Sequence, residues 1–367
     1  MNTSQEDGLC FSEDYKQIYL PLTYSVIFLL ALPLNGAVLW LSWRQSKRWS
    51  CATIYLVNLM VADLLYVFTL PFLIVAYSLG DWWPFGDLLC RLVRFLFYTN
   101  LYGSILLLTC ISVHRFLGVC HPLRSLPYRT RQLALLGAAT TWALVVVQLL
   151  PTLAFSHTDY VDGQMVCYDM TSPALFDSFF VYGMVLTVSG FVLPSVVILL
   201  CYWRMVRSLS KPQEGLARTG SGARAKSVRT ILLVCTLFTL CFVPFHVARS
   251  IYLVVRFLPS QDCRLLMGAS LAYKLWRPLV SANSCVNPVL YFLCRGANRG
   301  RLFQELRNNK VGEPQAGATG ATATDGRLWV VSPGGWRERG AKTLTMTPKC
   351  PVLFWGRASH DLPEAPY

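Results

Sequence analysis

Seven long apolar stretches dominate this chain and restrict what it can fold into. They run roughly over 20–43, 53–77, 92–119, 133–155, 180–203, 229–254 and 270–293, and each ends in charge or in Pro/Gly-rich sequence. A bilayer crossing takes about 20 such residues. Prolines 33, 71, 151, 194, 244, 278 and 288 fall inside or at the edges of these stretches. In a soluble helix interior each would cost ~3 kcal/mol. Membrane helices tolerate them, because neighbouring helices satisfy the freed carbonyl. Only 14% of the residues are charged, against about 25% in soluble domains. The chain is therefore read as an all-α membrane protein with a seven-transmembrane helix bundle, and not as a pair of soluble domains.

The organisation follows: an extracellular N-terminus (1–19), the bundle (20–293), a short amphipathic juxtamembrane helix (294–310) and a disordered cytoplasmic tail (311–367). In the 294–310 segment Leu302, Phe303 and Leu306 share a face and arginines fill the rest, the pattern of a helix lying on a membrane surface. The tail is rich in Gly, Ala, Thr and Pro without periodicity. Its Thr319, Thr322, Thr324, Ser332, Thr343, Thr345 and Thr347 offer phosphorylation sites for receptor kinases and arrestin. The first residues are polar and acidic (Glu6, Asp7, Glu13, Asp14), so no cleaved signal peptide is expected and the first stretch serves as signal and anchor.

Lys/Arg bias sets the orientation. Arg44, Lys47 and Arg48 follow the first stretch, and Arg124, Arg129 and Arg131 the third. Arg204, Arg207, Lys211, Arg218, Arg224, Lys226 and Arg229 follow the fifth, and Arg295, Arg299, Arg301, Arg307 and Lys310 the seventh. The largest opposite loop (156–179) holds only acids: Asp159, Asp162, Asp169 and Asp177. This places the N-terminus outside and the C-terminus inside, in a multi-pass plasma-membrane protein. Asn2-Thr3-Ser4 is then an outer glycosylation pattern. Cys10, Cys90, Cys167 and Cys263 also fall outside, where oxidation is the rule, and four cysteines allow three pairings. Cys51, Cys110, Cys201, Cys235, Cys241 and Cys285 lie within or beside spans and read as small packing residues.

Polar groups kept inside a membrane are kept for function. Asp63 lies mid-way through the second stretch, with Asn35, Asn100, Ser104, Asn283 and Asn287 at similar depth. A carboxylate with amide and hydroxyl oxygens is a hard ligand set that suits sodium; no other metal and no cofactor is expected. Arg115 lies 25 residues past Cys90, ~37 Å along a helix and thus on the opposite side. Towards the outer end, Arg94 sits one turn inside Cys90, while His246 and Arg249, and Lys274 and Arg277, are each spaced i,i+3 and share a face. Were these faces to meet, four cations and a histidine would surround one outer cavity. Such a cluster calls for an anion, and a di- or triphosphate supplies the charge and acceptor oxygens that Arg and Lys bind. Phe97, Tyr98, Tyr102, Tyr252 and Tyr273 lie close enough in sequence to stack on a base or ribose.

Several motifs together resemble rhodopsin-like (class A) G protein-coupled receptors: Asn35, Leu59–Asp63, Arg115, Trp142, Pro194 with Tyr202, Phe238–Pro244 and Asn287-Pro288-Val-Leu-Tyr291. The runs WPFGDLLCRLVRFLFYTNLYGSILLLTCISVHR, CFVPFHVARSIYL and YKLWRPLVSANSCVNPVLYF, with VCYDMTSP, are similar to the metabotropic purinergic nucleotide receptor family. The resemblance spans about 15–310. It implies phosphate contacts at Arg94, His246, Arg249, Lys274 and Arg277, and a second-loop acid near the ligand at Asp169. The expected disulfides, Cys90–Cys167 and Cys10–Cys263, both match the family pattern. The chain departs from the wider class at two positions: His114 stands where an acid usually precedes Arg115, and Phe242 where a tryptophan usually precedes Pro244.

The function the resemblance implies is a receptor for extracellular nucleotides, with uracil nucleotides (UTP or UDP) favoured and ATP as the alternative. The second loop and fifth stretch look like the uridine-diphosphate branch, and Arg249 with the seventh stretch like the triphosphate branch. Ligand binding would draw the sixth and seventh helices toward the third, bending at Pro244 and Pro288. Arg115, Val119, Leu123 and Tyr202 would then meet a heterotrimeric G protein, Gq by resemblance, leading to phospholipase C and calcium. The rivals are a class A receptor for another anion (a dicarboxylate, leukotriene or lysophospholipid) and an anion transporter or channel. The latter usually carries repeats or paired broken helices, and none is found. No enzyme motif occurs. The net charge of +14 does not point to nucleic acid: most of it lines one membrane face, where it meets anionic lipid.

Overall fold

The computed structural model describes residues 15–44, 49–161, 163–210, 234–236, 238–258 and 263–292. The Asn2 pattern, Cys10, the 294–310 helix, the 311–367 tail and the basic 211–233 segment lie outside the described residues.

Among the described residues, six helices are long and apolar enough to cross a membrane: Gln17–Arg44, Cys51–Ser78, Asp87–Cys120, Arg131–Phe155, Pro173–Ser208 and Val234–Phe257. A seventh helix, Cys263–Ser281, continues over 283–292. It falls short of the others in apolarity because it carries Arg264, Lys274 and Arg277. The bundle thus has the seven helices that the apolar stretches imply. Most begin or end a turn beyond those stretches, since interfacial residues can be polar and still helical.

Local chemistry sets the helix ends and breaks. Ser50 and Thr130 cap the second and fourth helices, their side chains accepting from the amides of Thr53 and Leu133 at 3.3 Å, the usual first-turn device. The second helix breaks between Val67 and Leu70, just before Pro71. There the Thr69 amide and hydroxyl both donate to the Tyr66 carbonyl, at 2.8 and 2.7 Å, closing a tighter turn just before the proline, which has no N–H for the Val67 carbonyl. The fifth helix widens into a π-turn over Val188–Val192. Gly190 sits in that turn against Tyr102 of the third helix, and a Cβ there would lie 2.5 Å from the ring. Gly190→Ala is therefore expected to destabilise the purified protein by about 1–3 kcal/mol, the usual cost of overpacking. Gly190→Val should cost more than Gly190→Ala in thermal unfolding; equal melting of Gly190→Ala and wild type would refute the contact.

The surface is apolar where lipid belongs. Leu22, Leu29, Val181, Val185, Leu199 and Leu200 are exposed on the outside of the helices, while Asn35, Asp63, Asn100, Asn283 and Asn287 are buried within. A soluble protein would not leave such a belt bare.

At one end a two-stranded hairpin, Thr158–Val161 with Gln164–Cys167, lies across the bundle. Its turn uses Gly163 at φ 79°, a conformation that favours glycine. The expected Cys90–Cys167 disulfide is formed and ties the hairpin to the third helix. The Asp87 carboxylate accepts from the Thr158 amide at 2.8 Å, and the Trp83 amide donates to the Met165 carbonyl at 2.8 Å. The hairpin is thereby held as a fixed lid, with Tyr168, Asp169 and Met170 following it over the bundle.

Candidate ligand-binding site

Beneath that lid lies a cavity of about 300 Å³. Four cations (Arg94, Arg256, Lys274, Arg277) and two acids (Asp81, Asp169) line it, an excess of two positive charges. Tyr77, Tyr252 and Tyr273 supply aromatic wall.

Asp169 is the hub. Its Oδ1 pairs with Arg94 Nη1 at 2.9 Å and with Arg277 Nη1, and its Oδ2 accepts from the Tyr273 hydroxyl at 3.0 Å. Arg94 also donates to the Cys167 carbonyl at 3.0 Å, and Arg277 to the Tyr77 hydroxyl at 3.3 Å. Both arginines are buried, 4% and 3% exposed, so their charge is weakly screened. Among the described residues, Arg94 Nε and Arg277 Nε and Nη2 find no hydrogen-bond partner. Unused buried donors on a cation imply a further acceptor. One carboxylate thus bridges two arginines that still have donors to spare.

Burial alone would raise the pKa of Asp169. The Arg277 and Arg94 guanidiniums outweigh this and hold its carboxyl below the usual range. A depressed carboxylate contributes stability above the unfolded value of about 3.9 and loses it as pH falls through the lower folded value. Asp169→Asn is accordingly expected to lower stability by about 1–3 kcal/mol, with the same melting-temperature difference from wild type at pH 7.5 and 5.5. A difference that vanishes between those two values would mean that another group controls the bridge.

The other expected phosphate contacts fall elsewhere. Lys274 joins Arg94 and Arg277 at the cavity, but His246 and Arg249 do not line it. Arg249 is 1% exposed and donates to the Tyr102 hydroxyl at 3.2 Å and Thr187 Oγ1 at 3.4 Å. Its guanidinium lies 5.4 Å from the Tyr98 ring centroid. His246 stacks on Phe191 at 4.0 Å, with both ring nitrogens buried and unpartnered. The i,i+3 pair does share a face, as the spacing implied, but that face is turned to the third and fifth helices. The expected single ring of cations is instead an open cluster under Asp169 and a closed one around Arg249. Phe97, Tyr98 and Tyr102 are buried beneath the cavity; Tyr252 and Tyr273 line it and stack on each other at 5.7 Å. Sequence reasoning missed Arg256 and Tyr77. Arg256 was within reach, being i+4 from Tyr252 and so on its face; Tyr77 comes from a helix remote in sequence.

Mid-bundle, Asp63 is wholly buried. Its Oδ1 accepts from Asn100 Nδ2 at 2.7 Å and Ser284 Oγ at 2.8 Å, and its Oδ2 from Asn287 Nδ2 at 2.9 Å. Asn35 donates to the carbonyls of Ala31 and Ser284, each at 2.8 Å. Ser104 Oγ, Asn283 Oδ1 and Asn287 Oδ1 are buried without a partner. Together with the Asp63 carboxylate these hard oxygens form a donor set that fits sodium. Ser284, unforeseen, completes the network.

At the end opposite the disulfide, Arg115 lies five residues before the third helix ends at Cys120. Val119 and Tyr202 pack against Cys201 and Met205, and Leu123 is exposed.

Residues 34–291 match the family model described as 7 transmembrane receptor (rhodopsin family). The chain is 45% identical to the Y-type purinoceptor 3 of turkey (Meleagris gallopavo) over 291 residues, which are 79% of this chain and 89% of that one. It is 45% identical to the human (Homo sapiens) Y-type purinoceptor 2 over 318 residues, 87% and 82% of the two chains. It is also 45% identical to the human Y-type purinoceptor 4 over 309 residues, 84% of each.

Proposed function

This chain belongs to the rhodopsin family of seven-transmembrane receptors and, within it, to the Y-type purinoceptors, which are nucleotide receptors, and we propose that its agonist is a uracil nucleotide whose phosphates displace Asp169 from between Arg94 and Arg277. The protein is a multi-pass plasma-membrane receptor that acts through a G protein and is not an enzyme. The N-terminus faces outward and the C-terminus inward, in line with the Lys/Arg bias of the loops.

The bridging position of Asp169 carries the proposal. A carboxylate there offers the two arginines one negative charge. A di- or triphosphate offers more charge and more oxygens, enough to engage the unused Nε and Nη2 donors. Lys274 adds a point charge at the same cavity. Tyr252 and Tyr273 provide a stacking wall for base or ribose. Because Arg94, Tyr252 and Arg277 lie on the third, sixth and seventh helices, a ligand held by all three favours the arrangement in which these helices are close. That preference is a population shift, and its size is the ligand's differential affinity for the two states. Helix bending at Pro244 and Pro288 then opens the Arg115 end to a G protein of the Gq type.

A nucleotide panel on transfected cells with a calcium readout tests this. UTP or UDP is expected to respond best, and the response should vanish in cells lacking Gq-type subunits. A response only to dicarboxylates, leukotrienes or lysophospholipids, or substrate-dependent current without a G protein, would overturn it.

A further inference from the structure

The closed cluster beneath the cavity holds a charge without a counter-charge. Arg249 is 1% exposed, and a guanidinium does not give up its proton in a protein. Among the described residues no carboxylate pairs with it. Asp169 is committed to Arg94 and Arg277, and Asp63 to Asn100, Ser284 and Asn287. The ionisable groups that act on Arg249 most strongly are the tyrosines 102, 98, 273 and 182. All are neutral at pH 7, so none of them balances the charge. A lone buried cation is strongly unfavourable.

The same surroundings are rich in donors and poor in acceptors. Arg249 Nη1 donates to the Tyr102 hydroxyl and to Thr187 Oγ1, while its Nε finds no partner among the described residues. Thr187 donates its own hydrogen to the Gly183 carbonyl at 2.8 Å. The Tyr102 hydroxyl, having accepted from Arg249, keeps a hydrogen to give. The Tyr98 hydroxyl and both ring nitrogens of His246 are buried and find no partner among the described residues. At least one of those nitrogens carries a hydrogen. The four groups adjoin one another. Tyr98 and Tyr102 stack with their centroids 6.3 Å apart, Tyr102 and His246 lie 5.7 Å apart, and the guanidinium is 5.4 Å from the Tyr98 ring. Buried donors left over in this way point to an ion or a water. A water would satisfy hydrogens but leave the charge.

We propose that Arg249, Tyr98, Tyr102 and His246 bind one small monovalent inorganic anion, chloride, at a site below the nucleotide cavity and separate from it. Charge balance selects the class. The cluster has one permanent positive charge and otherwise neutral donors, so a single negative charge cancels it. A doubly charged phosphate would leave a net negative charge buried among tyrosines. The inference thus departs from the phosphate contact that the family resemblance implies for His246 and Arg249, neither of which lines the cavity. The anion ties the sixth helix, just past Pro244, to Tyr98 and Tyr102 of the third.

The test needs no nucleotide, so it is independent of the agonist proposed above. Purified full-length receptor is melted in sodium chloride and in sodium gluconate at equal concentration, which holds constant any effect of sodium at Asp63. Chloride should raise the melting temperature in a saturable way, by about 2–4 °C at ten times its dissociation constant, and bromide should replace it. Arg249→Gln should abolish the shift. Tyr98→Phe keeps the charge and the ring but removes one donor, and should raise the half-maximal chloride concentration about tenfold. Arg277→Ala should keep the full shift, because that cation serves the outer cavity. Equal melting of wild type in chloride and gluconate would leave the donors to water and overturn the site. A shift kept in Arg249→Gln, or lost in Arg277→Ala, would place the ion elsewhere and overturn it too. Should Arg249→Gln fail to fold, Tyr98→Phe decides: an unchanged half-maximal concentration refutes the site.

Discussion

Arg277→Ala is expected to move the nucleotide concentration–response curve by about 100- to 1000-fold, at normal surface expression. The size follows from where the residue sits. Arg277 is buried under the lid, shares Asp169 with Arg94, and has two nitrogens free for a ligand. Truncating one partner of a buried, hydrogen-bonded charge pair made on binding costs roughly 2–5 kcal/mol, and every 1.4 kcal/mol is tenfold in affinity, so the middle of that range is about 100- to 1000-fold. The fold itself should suffer less. After the change Asp169 still has Arg94 at 2.9 Å and the Tyr273 hydroxyl at 3.0 Å, so no acid is left buried and alone. Arg277→Lys keeps the charge but loses the planar fork, and about a tenfold shift is expected. The ordering wild type, Lys, Ala in calcium assays, with cell-surface binding of an epitope tag held constant, distinguishes phosphate recognition from general damage. An Arg277→Ala receptor that answers nucleotide normally would remove the site from the proposal.

Much of the fold was legible because a bilayer imposes simple demands. Helix length, apolar runs and tolerated prolines are all one-dimensional signals, and they placed the six crossing helices to within about two turns wherever both ends are described. The seventh was weaker by composition, since Lys274 and Arg277 serve the cavity and dilute its apolarity. The break after Val67 was not read: Pro71 signalled a disturbance, but not that the helix would tighten into a turn over the residues before it. The cations were harder still. Spacing tells that His246 and Arg249 share a face, but not which neighbour that face meets. The rotation of each helix about its axis is set by packing such as Tyr102 against Gly190, which no local pattern reveals. Arg249 was therefore assigned to the outer cavity when it lies against Tyr102 and Thr187. Ser284 was missed for the same reason, being one residue from Asn283 and turned to Asp63. His114 was flagged by sequence as a departure, yet Arg129, whose Nε donates to it at 3.5 Å, lies beyond a loop.

Sodium is expected to weaken nucleotide potency at the wild-type receptor, and Asp63→Asn should abolish that effect. The Asp63 carboxylate gathers donors from the third and seventh helices: Asn100, Ser284 and Asn287. Three oxygens, Ser104 Oγ, Asn283 Oδ1 and Asn287 Oδ1, remain buried without a donor. A cation that uses them with the carboxylate would favour the arrangement seen here. The nucleotide favours helices drawn together at the opposite level, so the two ligands compete through the bundle. Coupling free energies of this kind are typically 1–3 kcal/mol, and a potency loss of about fivefold or more is expected when sodium replaces a large organic cation at 150 mM. Linkage requires the converse: bound nucleotide must weaken sodium to the same extent. Asp63→Asn removes the charge that holds the ion. It also turns an acceptor into a group with two donors amid three existing donors, so some loss of stability, about 1–3 kcal/mol, comes with it. Potency must therefore be compared at matched surface expression, and the melting temperature of purified receptor measured with and without sodium. Sodium should raise the melting temperature of wild type and leave Asp63→Asn unmoved. A mutant that keeps the full sodium shift would show that the ion, if it acts, binds elsewhere, and the unpaired oxygens around Asp63 would then have to be satisfied by water.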